Sequence, residues 1–165
     1  MKRRFRDFPE LAPYLKDMDH IDIKSAESEK DLRTVLVGLI GHCPSWLKGF
    51  YKLRGLLARM LGLKHDSDIS TATVRPEDIS MTPGETARFF TVVSAKEDSW
   101  WVGEASDRHL SAWMLLIREQ QEQGPARYHV VTSVRHHHWT GPLYFKLILP
   151  FHHLIVRSML RHAVA

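Results

Sequence analysis

The 165 residues contain a single cysteine, Cys43, so no internal disulfide can form and a reducing, cytoplasmic setting is expected. With no partner histidine in a nucleophile signature, Cys43 reads as a small buried apolar residue and not as a catalytic thiol. Long hydrophobic runs are also missing. The longest, Leu143 to Leu160, is broken by Lys146, Pro150, His152, His153 and Arg157, whereas a membrane-spanning helix needs about 20 mostly apolar residues. No transmembrane segment is expected, and the basic start "MKRRFRDFPELAPYL" is not followed by the apolar stretch of a signal peptide. Charge of one sign is sparse: the net charge is +4, and basic residues are scattered except for "KRRFR", which argues against a nucleic-acid partner. Neither HExxH nor CxxC occurs, and there is no internal repeat.

What is present is an ordinary globular composition, with 44% hydrophobic and 25% charged residues. One domain over residues 1–165 is expected, with 1–18 loosely ordered, and a chain of this length buries roughly 70% of its unfolded surface. Histidine is the abundant titratable residue, at 11 copies. Protonating all of them would take the charge from +4 to about +15, so acid should affect solubility and stability.

Along the chain, "HIDIK" (His20 to Lys24) alternates as a short strand. Ser28 stands three residues before Asp31 at capping-box spacing, and "DLRTVLVGLIG" continues as a helix. A second helix is expected from Trp46 to Leu63, capped by Ser45, with an apolar face and Lys48, Lys52 and Arg59 set apart from it. Residues 64–85 read as loop with room for one short edge strand. From Thr86, four segments rich in β-branched and aromatic residues ("TARFFTVVSA", "SWWVGEA", "HLSAWMLLIR", "RYHVVTSVRHHHW") form an antiparallel meander. A last helix opens near Gly141 and runs to about His162, with Pro150 inside it. Helices segregated from strands make the fold class α+β.

Three constellations could carry chemistry. Strand alternation splits "HHH", placing Tyr128, Val130, Thr132, Val134, His136 and His138 on one face and His129, Ser133 and His137 on the other. Two such imidazoles with His152 or His153 could approach a zinc site. However, His152 and His153 diverge by about 100° around a helix, and no carboxylate is near in sequence. No metal and no cofactor is therefore expected. In "GEASDRHLSAW", Glu104, Asp107 and His109 could form an acid/base group if they faced a cavity, or could serve only as a turn and strand start. The aromatics Trp101, Trp113, Tyr128, Tyr144, Phe145 and Phe151 could fill the core or line a pocket left between a curved sheet and a helix.

The stretches "WLKGFYKLRGLLARMLGLK", "VGEASDRHLSAWMLLI" and "YHVVTSVRHHHWTGPLYFKLILPFHHLIVRSML" resemble, in order, those of a bacterial family of unknown function. The matching positions are Leu53, Arg54, Gly62, Leu63 and Lys64; Gly103, Glu104, Asp107, Arg108, His109 and Leu110; and Gly141, Tyr144, Phe145, Pro150, Phe151, His152, Ile155 and Val156. Ser106 and Ser111 stand where the family pattern has acidic residues. The resemblance implies the helix-grip (SRPBCC) superfamily of START-like and polyketide cyclase-like proteins, in which a curved antiparallel sheet wraps a long C-terminal helix. The expected function is binding of a small apolar or amphipathic molecule in a cavity between them. Trp101, Trp113, Tyr128, Tyr144, Phe145 and Phe151 are the expected walls, and His109, His136 and His138 the polar anchors. One alternative is a cyclase, dehydratase or hydrolase using His109 with Asp107 or Glu104. Another is a module that meets a membrane surface or a protein through Lys48, Lys52 and Arg59.

Overall fold

The computed structural model describes residues 8–42, 75, 79–106, 110–138 and 140–165, with backbone alone at 140, 141, 143 and 144. Cys43, the expected helix from Trp46 to Leu63 with its three basic residues, most of the loop after it, and Asp107 and His109 lie outside the described residues.

β1 runs from His20–Ser28, four residues past the expected "HIDIK", because pairing with β6 continues in register to Ser28 opposite Ala126. α1 (Leu32–Gly41) follows, and its cap is Asp31, whose carboxylate accepts the Thr34 amide hydrogen at 2.8 Å. The expected capping box at Ser28 is corrected: Ser28 ends the strand, and its hydroxyl donates to the Val164 carbonyl at 3.3 Å. The first meander segment is divided into β2 (Thr86–Ala87) and β3 (Phe90–Lys96). The division falls at Arg88, whose φ of 61° cannot continue a strand. β4 (Trp100–Ser106), β5 (Leu110–Glu119), β6 (Ala126–His136) and α2 (Thr140–Val164) complete the order.

All strand pairs are antiparallel, and the curved sheet has the order β1-β6-β5-β4-β3-β2. The meander thus returns through β6 to the first strand, making an α+β fold. Both faces are buried. On one, α1 and α2 cover Trp101, Leu116, Tyr128 and Val130. On the other, Leu11 packs with Trp100, Val102, Leu115, Ile117 and Val131. Leu11 belongs to a 3-10 helix, Pro9–Tyr14, so part of the N-terminal segment expected to be loosely ordered forms a cover for the second face. α2 packs chiefly on α1 and on β1, with a smaller contact to β6.

Two glycines set the close approaches. A Cβ on Gly38 would come within 2.7 Å of the Ala163 Cα, which is where α1 and α2 touch. A Cβ on Gly103 would fall 2.2 Å from the Trp101 ring, which lies across that position and is 0% exposed. Without that glycine the indole could not fold down beside Phe90, where their rings meet edge to face at 5.9 Å.

Candidate functional site

Alternation along β1 turns His20, Asp22 and Lys24 toward α2 and Ile21 and Ile23 toward the opposite core. Above them α2 presents Phe145, His152 and His153 at helical spacing, and β6 adds His136 from its C-terminal end. The result is three imidazoles around one phenyl ring, with His153 beside two of them. Phe145 lies 4.9 Å from the His20 ring, 5.6 Å from His136 and 6.4 Å from His152, centroid to centroid. His153 is 6.1 Å from His20 and 6.2 Å from His152.

The polar rim is tied down. Lys24 Nζ donates to both oxygens of Asp22 at 2.6 and 2.7 Å, and His153 Nδ1 lies 3.3 Å from Asp22 and 3.5 Å from Lys24. Burial works to raise the Asp22 pKa, but the hydrogen bond and charge of Lys24, with His153, hold it below the ordinary carboxylate value. The inner imidazoles behave oppositely. Burial, assisted by the charge of His153, lowers the His20 pKa, and burial pushes that of His152 down to about 4. At neutral pH both rings are uncharged, so each offers one N–H donor and one lone-pair acceptor.

Three ring nitrogens in this cluster, His20 Nε2, His136 Nδ1 and His152 Nε2, are buried and have no hydrogen-bond partner among the described residues. Leaving such an atom unpaired costs about 1–3 kcal/mol. A bound group able to donate or accept at these three points would offset that cost. Among the described residues, no group of three or more His, Cys, Asp or Glu side chains is placed to hold a metal ion.

The expected pocket residues fall in different places. His136 and Phe145 belong to this cluster, and Phe151 is half-buried on α2. Trp101 and Tyr128 share the α2 face but are fully buried in the packed core. Trp101 donates from its indole to the Ser80 carbonyl at 3.1 Å, and Tyr128 donates to the Lys30 carbonyl. Trp113 does not join them. It packs in the second core, with the Arg135 guanidinium 6.0 Å over its ring, because it is an odd-numbered residue on β5, whose even-numbered Met114 and Leu116 face α1 and α2. His138 lies past the end of β6 and is exposed, and nothing is described of the Tyr144 side chain. Glu104 shares the face of Trp100 and Val102, and its charge helps raise the Tyr14 pKa, after burial as the main cause. The acid/base group expected between sheet and helix therefore cannot include it. Ser111 bridges Ser106 at 2.5 Å and His137 Nε2 at 2.9 Å.

His20, Asp22, Lys24, His152 and His153 were not expected as a group. A signal existed in "HIDIK", since a polar residue at every second position opposite two isoleucines marks a face that is neither plain core nor plain surface.

Fold and site together define an α+β protein in which a histidine cluster with one aromatic centre sits between a curved antiparallel sheet and its C-terminal helix. Among the described residues, no helix is long and apolar enough to cross a membrane. A family described as "Protein of unknown function (DUF2867)" matches residues 12–159, and the chain belongs to it. No curated protein and no solved structure matches the chain.

Proposed function

We propose that the protein binds a small amphipathic molecule between α2 and the β1–β6 side of the sheet. Its apolar part packs on Phe145, and its hydroxyl or carbonyl groups pair with His20, His136 and His152. The observation that carries this reading is the set of three buried, unpartnered imidazole nitrogens around one phenyl ring. Pockets for small molecules combine such an apolar wall with a few convergent polar groups. The element order and the β1-β6-β5-β4-β3-β2 sheet also support a helix-grip (SRPBCC, START-like) assignment, whose members carry ligands at this interface. A cytoplasmic location is part of the same proposal and rests on the single cysteine.

Native mass spectrometry of untagged protein, compared with the denatured sample, tests it. The expected result is an extra mass that is lost on denaturation and passes into organic solvent. Phe145→Leu should reduce retention of that mass, whereas Trp113→Phe, on the opposite face, should leave it unchanged. Equal retention in the wild type and Phe145→Leu, or a loss caused only by Trp113→Phe, would overturn the site.

A further inference from the structure

The opposite face of the sheet holds a second histidine arrangement, independent of the ligand site. Ser25 on β1 and His129 on β6 are register partners, and the Ser25 Oγ lies 2.7 Å from His129 Nδ1. On the other side of the same ring, His129 Nε2 lies 2.9 Å from Glu119 Oε2 at the end of β5. A carboxylate only accepts, so in the neutral ring Nε2 carries the proton and Nδ1 accepts from the serine hydroxyl. The imidazole is 2% exposed, while the Glu119 side chain is 48% exposed and Ser25 is open to solvent. The strand positions around it are apolar: Ile23 on β1, Ile117 on β5 and Val131 on β6. Burying an imidazole there is unfavourable unless both nitrogens are satisfied, and the two residues that satisfy them both reach the surface.

We propose that Ser25, His129 and Glu119 form a nucleophilic relay acting on activated acyl esters. Ser25 is the nucleophile, His129 the general base, and Glu119 the positioning residue that fixes the ring tautomer. Serine, base and orienting carboxylate in sequential hydrogen-bond contact are the arrangement that activates a hydroxyl otherwise too weak to attack.

In the first step the Ser25 Oγ bonds to the ester carbonyl carbon while its proton passes to His129 Nδ1. The resulting imidazolium is stabilised by Glu119. The C–O bond to the alcohol then breaks, and the alcohol leaves with the proton from Nδ1. In the second step water attacks the acyl-serine, its proton again passing to His129. Ser25 takes the proton back as the carboxylic acid departs. Arg127 stands on the same face two residues along β6, where it is paired with Glu27 at 2.8 Å. An ester with a good leaving group suits a serine exposed on the edge strand, because such a substrate needs less transition-state stabilisation than an amide.

The test is labelling of the full chain with an alkyl fluorophosphonate, mapped by peptide mass spectrometry. The expected result is a single fast adduct on Ser25, absent in Ser25→Ala. Removing the base in His129→Gln should slow labelling by about 100-fold or more, the low end of what a general base contributes. Because His129 is buried and that variant could fail to fold, Glu119→Gln, altered at an exposed side chain, provides the second arm. Its melting temperature should match the wild type while labelling slows by at least about tenfold. Long-range proton–nitrogen NMR should then show that the His129 proton is no longer confined to Nε2, as expected when an amide replaces the orienting carboxylate. Labelling of Ser25 no faster than that of the exposed Ser106, or an unchanged rate in a folded Glu119→Gln, would overturn the proposal and leave the contacts as structural.

Discussion

Acid should destabilise this protein in a pH range where its carboxylates are still ionised, and His152 should be a main cause. Its ring is held at a pKa of about 4 by burial, with the charges of His153, His20 and Lys24 acting in the same direction and Asp22 opposing. In the unfolded chain the same imidazole titrates near 6.5. Between these values the unfolded state binds a proton that the folded state refuses, so stability is intact above about pH 7 and falls as pH drops. Linkage puts the loss at about 2 kcal/mol between pH 7 and pH 5, approaching about 3 kcal/mol by pH 4. His20 is shifted in the same direction and adds to the effect. Asp22 acts elsewhere: its pKa is depressed, so its contribution is lost only below the ordinary carboxylate value of 3.8. Urea unfolding of the wild type and His152→Leu at pH 7 and pH 5 would measure this, with stability read from each midpoint and slope. Leucine cannot titrate, so the pH-dependent loss should shrink by about 2 kcal/mol in the variant. An identical loss in both proteins, or an NMR titration placing the His152 ring near 6.5 in the folded state, would refute the reasoning.

Two further substitutions test the packing that positions the sites. Gly103→Ala drives a Cβ into the Trp101 ring and toward the Phe90 Cβ, 2.8 Å away, and should cost about 1–3 kcal/mol, as overpacked cores do. Thermal melting should show a fall of roughly 2–4 °C per kcal/mol for a chain of this size, and an unchanged midpoint would mean the indole can move aside freely. Asp31→Ala removes the side chain that accepts from the Thr34 amide at 2.8 Å and the Thr34 hydroxyl at 2.7 Å. It should destabilise by about 0.5–2 kcal/mol in urea unfolding, whereas Ser28→Ala should cost less if Ser28 is not the cap.

The α+β class, the meander and the C-terminal helix were legible because their signals are local. Segments rich in β-branched and aromatic residues, and apolar residues at spacings of three and four from Tyr144 to Met159, need no knowledge of what packs against them, although Leu147 and Leu154 of that set are exposed. The strand break at Arg88 was not legible, because a positive φ at an arginine follows from how β2 folds back on β3 and not from the residue itself. The cap was misassigned for a related reason. Ser28 and Asp31 both suit the position, and the choice is made by β6, whose pairing extends the strand through Ser28. Trp113 is expected at the pocket as one of the aromatics, but face is decided by parity in the register, and Trp113 and Met114 necessarily point to opposite sides.

The two histidine clusters were the least legible part because each is assembled across the whole chain. Ser25 and His129 are separated by 104 residues, and Lys24 and His153 by 129. What brings them together is one topological step, the return of the last strand to pair with the first. A strand paired at the edge of a sheet with both faces covered must supply side chains to two interiors at once. β1 does so with His20, Asp22 and Lys24 toward α2 and with Ile21, Ile23 and Ser25 toward the other side. Each set meets histidine, from β6 or from α2. The even positions find imidazoles with unpartnered nitrogens, which suits binding. The single odd-numbered serine finds an imidazole already fixed by a carboxylate, which suits activation. A shift of β1 by one residue against β6 would exchange the two sets and dismantle both clusters, so any function at either site depends on the same register.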